Sequence, residues 1–360
     1  MNNIEKIDKN LAINNIINDE KFEFYNVRFS PIKVYGLMHN ERFIRLNENI
    51  ASEVSDGVER LNYNTAGGRV RFKTDTDKIV VRAMMPQKCL MSHMTFAGSS
   101  GFDMYMLEAD NYKYIGTFMN SYDRGDIFES VVSLPERKMR DITINFPLYD
   151  VVEEMYIGVT PDSIIEEGGE YRNDKPIVYY GSSITQGGCA SRPGNSYQGI
   201  ISRRFNCDYI NLGFAGCAKG EATIAKYIAS LNMELLFLDY DHNSVVHELR
   251  QRHEMFFKIV REKNPNLPII MATRTNIPGF PYEVNEMQER KNIIFGTYQN
   301  AINAGDKNVY YIDGGEAFKL VESIDVNPDS CTVDGCHPND LGFACMAKVF
   351  GDEISKALGW

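Results

Sequence analysis

No stretch of this 360-residue chain approaches the ~20 consecutive apolar residues that a membrane-spanning helix requires, so no helical membrane protein is expected. The opening segment, MNNIEKIDKNLAINNIINDE, lacks an apolar core behind a basic start, and no signal peptide is expected. Basic runs are missing as well: 49 acidic against 38 basic residues leave a formal net charge of −11. That balance repels phosphate backbones and anionic bilayers, so neither nucleic acid nor membrane is expected as a partner. The seven cysteines are odd in number and follow no framework spacing; they read as reduced thiols of a cytoplasmic protein. Internal repeats and low-complexity tracts are absent. What remains is a chain of ordinary composition, 43% hydrophobic and 24% charged, long enough for about two domains of ~100–200 residues.

The pattern changes along the chain. The first ~25 residues are polar and weakly amphipathic, an arm or a short helix. From about Val27 to Thr160 the signals are those of strands. Arg69-Val70-Arg71-Phe72-Lys73 alternates cleanly, Lys78 to Met84 follows a Thr-Asp-Thr-Asp turn, and further short runs lie at Met104–Leu107, Tyr114–Phe118, Ile127–Leu134, Asp141–Phe146 and Glu154–Val159. Turn residues separate them, as in an antiparallel β-sandwich. Residues 161–176 are polar and read as a connection between domains, placing the first domain at 1–165 and the second at 172–360. In the second, apolar strand candidates (Ile177–Tyr180, Cys207–Leu212, Leu235–Asp239, Pro268–Ala272, Val309–Asp313) alternate with helical stretches (Ser196–Phe205, Glu221–Ser230, Val245–Lys263, Glu283–Ala304, Leu341–Leu358). Alternation of this kind predicts a parallel sheet with helices on both faces, an αβα three-layer domain.

In such a sheet, chemistry sits in loops at the carboxyl ends of the strands. After the first strand comes Gly181-Ser182-Ser183-Ile184-Thr185-Gln186-Gly187-Gly188, where a serine on a tight turn can face a cleft beside free helix N–H groups. The alternative is an ordinary helix-capping serine. After the second strand comes Asn211-Leu212-Gly213-Phe214-Ala215-Gly216, whose glycines suit either close approach to a ligand or a plain turn. The third strand leads into Asp239-Tyr240-Asp241-His242-Asn243-Ser244, where Asn243 can donate to an oxyanion or cap a helix. The chain closes with Asp334-Gly335-Cys336-His337-Pro338. There a carboxylate can hold one imidazole nitrogen while the other serves as a base, or the histidine is incidental in a surface turn.

Taken together, Ser, Gly, Asn and Asp-x-x-His stand in that order, and the half from about Lys175 to Trp360 resembles the SGNH, or GDSL-type, hydrolases. Gly181-Ser182-Ser183 takes the place of the family's Gly-Asp-Ser block, with serine for aspartate. The resemblance implies a flavodoxin-like fold and a serine esterase in which Ser183 is the nucleophile, His337 the base and Asp334 its orienting acid. Ser183 and Gly216 backbone N–H groups and the Asn243 side chain would form the oxyanion hole. Further upstream, Gly101-Phe102-Asp103-Met104-Tyr105 resembles the Gly-x-Asp-Leu-Tyr signature of a jelly-roll-like β-sandwich that precedes one branch of these hydrolases. The block Gly181 to Gly194 is similar to that branch as well. One departure stands out: the family's third block is usually Gly-x-Asn-Asp, whereas here Asp241-His242-Asn243-Ser244 puts ionisable groups beside the oxyanion donor.

The expected activity is hydrolysis of short-chain, acetyl esters, with acetylated oligosaccharide as the small-molecule substrate and no cofactor. Long acyl chains are less expected, because no apolar lid segment is evident. Two rivals share the residues: an acyltransferase delivering the same acyl group to an alcohol, and an inactive carbohydrate-binding protein. Arg192 and His242 are candidates for substrate contact. For Arg192 the alternative, pinning its own loop, is favoured, and for His242 a structural hydrogen bond weighs equally. Asp103 and Tyr105 are expected to hold the domain junction. No metal site is expected, since Cys331, Cys336 and His337 lack a second Cys-x-x-Cys pair. Oligomeric state is open, a homo-oligomer included.

Overall fold

The computed structural model of the chain describes residues 21–109, 111–123, 125–277 and 284–360. The first part of the expected N-terminal arm lies outside them; its last residues, Glu23–Asn26, are a strand rather than an arm. Among the described residues the N-terminal half is a sandwich of ten strands: β1 (Glu23–Asn26), β2 (Lys33–Tyr35), β3 (Arg69–Thr74), β4 (Lys78–Met84), β5 (Phe102–Glu108), β6 (Asn111–Phe118), β7 (Ile127–Ser133), β8 (Arg140–Asn145), β9 (Glu154–Val159) and β10 (Ile165–Glu167). One sheet runs β1-β9-β4-β7, the other β10-β3-β8-β5-β6 with β2 beside β3, and all pairs are antiparallel. Strand β10 shows that the polar stretch after Pro161 begins inside this sheet, paired with β3.

Alternation decides what each face of the second sheet does. Val70, Phe72, Phe102, Met104, Ile142 and Ile144 fill the sandwich core. The intervening Arg69, Arg71, Asp103, Thr143 and Asn145 are buried too, on the opposite face. That face is not solvated, because the C-terminal half covers it. Arg69 pairs with Asp208 and lies 3.9 Å over the Tyr209 ring, and Arg71 donates to Asn206 and lies 4.3 Å over Tyr171. Arginine suits such a buried polar junction because its planar fork satisfies several acceptors while its faces stack on aromatic rings.

Short helices interrupt the sandwich at α1 (Glu48–Val54), α2 (Asp56–Asn62) and α3 (Phe96–Ser100). The strand reading of this region had no place for them. Asn47 and Ser55 cap α1 and α2 by accepting backbone N–H groups. The apolar residues of this segment, Leu46, Ala51 and Val58, pack into the core of the C-terminal half rather than that of the sandwich.

The C-terminal half has a parallel sheet of β11 (Ile177–Gly181), β12 (Tyr209–Gly213), β13 (Leu235–Asp239), β14 (Ile269–Ala272) and β15 (Val309–Ile312) in the order β12-β11-β13-β14-β15. Its helices are α4 (Ser183–Gln186), α5 (Tyr197–Phe205), α6 (Ala222–Ser230), α7 (Val246–Lys263), α8 (Val284–Asn303) and α9 (Asp340–Leu358). Strand residues alternate between two cores. Ile177, Tyr179, Leu235 and Phe237 face α5 and α9, whereas Val178, Tyr180, Leu236 and Leu238 face α6, α7 and α8. Both faces are buried, which is why these strands read as unbroken apolar runs. The three-layer α/β fold and the preceding sandwich are thus as expected.

Candidate active site

Strand β11 ends at Gly181, where an added Cβ would collide with the Thr185 hydroxyl and the Asp239 carbonyl, so the strand-to-helix turn closes only around glycine. The turn separates the two adjacent serines. Ser182 is fully buried and caps α4, its Oγ accepting the Ile184 N–H at 3.2 Å. Ser183, the first residue of α4, places its Oγ 3.0 Å from His337 Nε2. Tyr149 of the N-terminal half donates its hydroxyl to the Ser183 carbonyl at 3.0 Å.

His337 sits in the closing loop, which is held at both ends. Its carbonyl accepts the Val333 N–H, and Asn339 caps α9 by accepting the Leu341 and Gly342 N–H groups. The imidazole Nδ1 lies 2.8 Å from Asp334 Oδ2. Burial opposes ionisation of Asp334. Hydrogen bonds from the His337 N–H, the His337 ring and the Cys336 N–H outweigh it and hold the carboxyl at about 2. An ionised Asp334 fixes the tautomer with hydrogen on Nδ1 and a lone pair on Nε2, facing Ser183.

The second and third loops are tied to the first. Asn211 donates to the Thr185 carbonyl and accepts the Gly213 N–H, and buried Gln186 accepts the Ala215 N–H while donating to Asn64 and the Leu148 carbonyl. Gly216 adopts φ +70°, a conformation that favours glycine. Asn243 donates its side-chain amide to the Phe214 carbonyl at 2.9 Å, so the two loops meet. Beneath them lie two buried acids. Burial, with Asp241 nearby, pushes Asp239 well above the carboxylate range, and burial pushes Asp241 up to about 6 against hydrogen bonding from Arg274. Burial also drives His242 well below the usual histidine value, reinforced by Arg274 and His337, so it is neutral. Among the described residues His242 Nε2 has no hydrogen-bond partner.

The structure places Arg192 at the junction of the halves. It donates to Asp103 Oδ2 at 3.0 Å and to the Tyr105 hydroxyl, and lies 4.1 Å over the Tyr114 ring. Asp103, fully buried, also accepts the Gly194 N–H at 2.9 Å and the Asn145 amide at 2.8 Å. The guanidinium is thus committed to pinning its loop.

Several residues around the serine escaped sequence reasoning. Arg45, fully buried, donates to the Gly213 and Leu61 carbonyls beneath the second loop. Tyr149, Asn64 and His93 likewise come from the N-terminal half; the His93 ring lies 5.5 Å from that of His337. Only Gln186 carried a signal, through its place in the Gly181–Gly194 block. Cys189 lies beside His93 and His337, and burial pushes its thiol up to about 12, which keeps it protonated. A cavity of about 320 Å³ opens where β13, β14 and β15 end, lined by Asp241, Arg274, Asn276, Arg290, Lys291 and Asp313 among others. It adjoins the closing loop, since Arg274 donates to Cys336 Sγ at 3.5 Å.

A parallel α/β sheet with serine, histidine and aspartate aligned at its carboxyl edge defines a hydrolase of the SGNH architecture. Residues 174–355 match the family model described as the GDSL-like lipase/acylhydrolase family, and residues 22–165 match that of the N-terminus of SGNH-hydrolase-type esterases. The chain belongs to the GDSL-like lipase/acylhydrolase family. No curated protein sequence matches it. Among solved structures, one described as a GDSL-like lipase from Bacteroides ovatus is 26% identical with a TM-score of 0.84, covering 94% of this chain and 98% of that one. The salicylyl-acyltransferase SsfX3 of a tetracycline biosynthetic pathway is 18% identical with a TM-score of 0.72, covering 94% and 98%. An acetyl xylan esterase, Est2A, from the rumen bacterium Butyrivibrio proteoclasticus is 13% identical with a TM-score of 0.57, covering 94% and 99%. The last two likenesses are of fold.

Proposed function

We propose that the protein is a serine esterase that removes short acyl groups, acetyl above all, from O-acylated carbohydrate. The observation that carries the reading is the line Ser183 Oγ–His337 Nε2–Nδ1–Asp334 Oδ2, with separations of 3.0 and 2.8 Å. His337 Nε2 takes the Ser183 proton as Oγ attacks the ester carbonyl, and Asp334 steadies the imidazolium that forms. The oxyanion is assigned to the Ser183 and Gly216 N–H groups and the Asn243 amide. Preorganised donors of this kind lower the barrier because they do not reorganise as charge develops. Return of the proton from His337 expels the alcohol, and water attacks the acyl-enzyme by the same route in reverse.

The alcohol is assigned to carbohydrate because the neighbouring cavity is lined with hydrogen-bonding side chains, which suit a polyol better than an alkyl chain. The domain division at 165–172 belongs to the same proposal, with the sandwich supplying a wall of the site. The test is hydrolysis of p-nitrophenyl acetate, butyrate and octanoate, then of acetylated xylo-oligosaccharides, with and without an added alcohol acceptor. Acetate is expected to be cleaved fastest, with free acetic acid as the product in both cases. Accumulation of a new ester in the presence of the acceptor would replace hydrolase with acyltransferase. No cleavage by folded protein would leave a binding protein.

A further inference from the structure

His93, Cys189 and His337, the last of them the partner of Ser183, come together from three separate segments. His93 arrives on the loop between β4 and α3, Cys189 on the turn after α4, and His337 on the closing loop. One nitrogen or sulfur from each lies within 4.8 Å of the other two, and the two imidazoles meet edge to face with centroids 5.5 Å apart. We propose that this trio is an inhibitory binding site for a borderline-soft divalent cation, zinc above all, whose occupation withdraws His337 from Ser183.

The donor set selects the ion. Two imidazoles and one thiolate suit zinc or cadmium and not magnesium or calcium, which take oxygen ligands. The tautomer is already correct, because His337 Nδ1 is held by Asp334 at 2.8 Å and the lone pair is on Nε2, where a metal would take the place of the Ser183 hydroxyl now 3.0 Å away. A histidine whose far nitrogen is held by a carboxylate is the common form of a zinc-ligating histidine. The arrangement that makes His337 a base therefore also makes it a ligand, and it cannot be both at once.

The geometry needs little change. Tetrahedral zinc with Zn–N of about 2.0–2.1 Å and Zn–S of about 2.3 Å sets its ligand atoms ~3.3–3.6 Å apart, so the trio closes by about an ångström. His93 is exposed and its side chain can make that movement, while Met94 beside it is packed with Cys189 in one core and anchors the loop. Cys189 holds φ +78°, a left-handed conformation costly to a residue with a Cβ. Binding converts the Cys189 thiol and M²⁺ into a Cys189 thiolate–metal bond and one released proton, with no change of oxidation state. The fourth position is left to water.

The test titrates the full-length protein with Cd²⁺ alone, following the ultraviolet thiolate-to-cadmium charge-transfer band, and with Zn²⁺ alone by calorimetry. One equivalent is expected to bind, the band to vanish in Cys189→Ser, and the affinity to fall tenfold or more in His93→Ala, an exposed position where folding is not at stake. Ser183→Ala should still bind. In the second arm, Zn²⁺ inhibits p-nitrophenyl acetate hydrolysis and EDTA restores it, with the inhibition constant raised at least tenfold in each ligand variant relative to its own turnover. Mg²⁺ has no effect. Absence of a one-equivalent band, an undiminished band in Cys189→Ser, or unchanged zinc inhibition in both variants would overturn the proposal. The inhibition arm rests on the esterase reading, but the binding arm does not: cadmium binding without ester turnover would leave the site standing and strike the esterase reading instead.

Discussion

Asp103 offers the sharpest test of how the two halves are joined. Its carboxylate is fully buried and takes three hydrogen bonds, from Arg192, the Gly194 N–H and the Asn145 amide. Replacing it with alanine removes the carboxylate partner of a guanidinium that is about a quarter exposed and still held by the Tyr105 hydroxyl, and leaves two buried donors without an acceptor. Breaking a buried ion pair costs about 3–5 kcal/mol, and each stranded donor about 1–3 kcal/mol. Partial exposure of Arg192 and its remaining bond to the Tyr105 hydroxyl lower the first figure to about 1 kcal/mol, so with the two stranded donors the expected loss is about 3–7 kcal/mol in all. Asp103→Asn keeps one acceptor oxygen but turns an amide donor toward the Asn145 amide, and should cost about 1–3 kcal/mol. Urea unfolding followed by far-ultraviolet circular dichroism measures both. The loop released by Asp103 is also tied to the start of α9, where Asp340 accepts the Ser191 N–H, three residues beyond His337. Turnover of the folded alanine variant should therefore fall about tenfold or more. An Asp103→Ala protein within 1 kcal/mol of the parent, with normal turnover, would refute the reasoning.

Three further outcomes are expected. Asp334→Asn preserves the shape of the closing loop but releases the tautomer, and should lower kcat on the order of 10³–10⁴ without loss of folding. His253 is buried against Thr297 and burial lowers its pKa to about 4. The unfolded chain thus binds the extra proton first, and stability falls as pH drops below ~6.5, by about 2 kcal/mol between pH 7 and pH 5. His253→Leu should flatten that part of the stability–pH curve, and an unchanged slope would count against the assignment. A fragment of residues 172–360 should be insoluble or lack a cooperative transition, because it loses Leu46, Ala51 and Val58 from its core and Arg69 from Asp208. Burial of a leucine or valine of that kind contributes about 1.5–3 kcal/mol. A soluble, cooperatively folding and active fragment would contradict this.

The sequence carried those features that have a period or a fixed local order. Strands buried on both faces, such as Leu235–Asp239, appear as apolar runs, and β3 alternates in sequence through Arg69-Val70-Arg71-Phe72-Lys73. Asp334 and His337 are close in sequence because one imidazole and its carboxylate share a single turn. What was hidden depends on contacts between distant segments. Helices α1 and α2 lie between sandwich strands yet serve the other half's core, so their spacing looked out of place. The polar side of Arg69–Lys73 carries no mark distinguishing a solvated face from one buried under the second half. His93 lies in a loop with no motif, and its approach to His337 is created only by the docking of the halves. Ser182 and Ser183 were distinguishable by family resemblance alone until the turn showed one capping α4 and the other facing His337.

Every step of the proposed reaction starts from Ser183 as the nucleophile. Intact-mass measurement after treatment with a fluorophosphonate, followed by peptide mapping, tests it most directly on the parent, Ser183→Ala and Ser182→Ala proteins. One adduct is expected on the parent, located at Ser183, absent from Ser183→Ala and retained by Ser182→Ala. An adduct on Ser182, or undiminished labelling of folded Ser183→Ala, would contradict it.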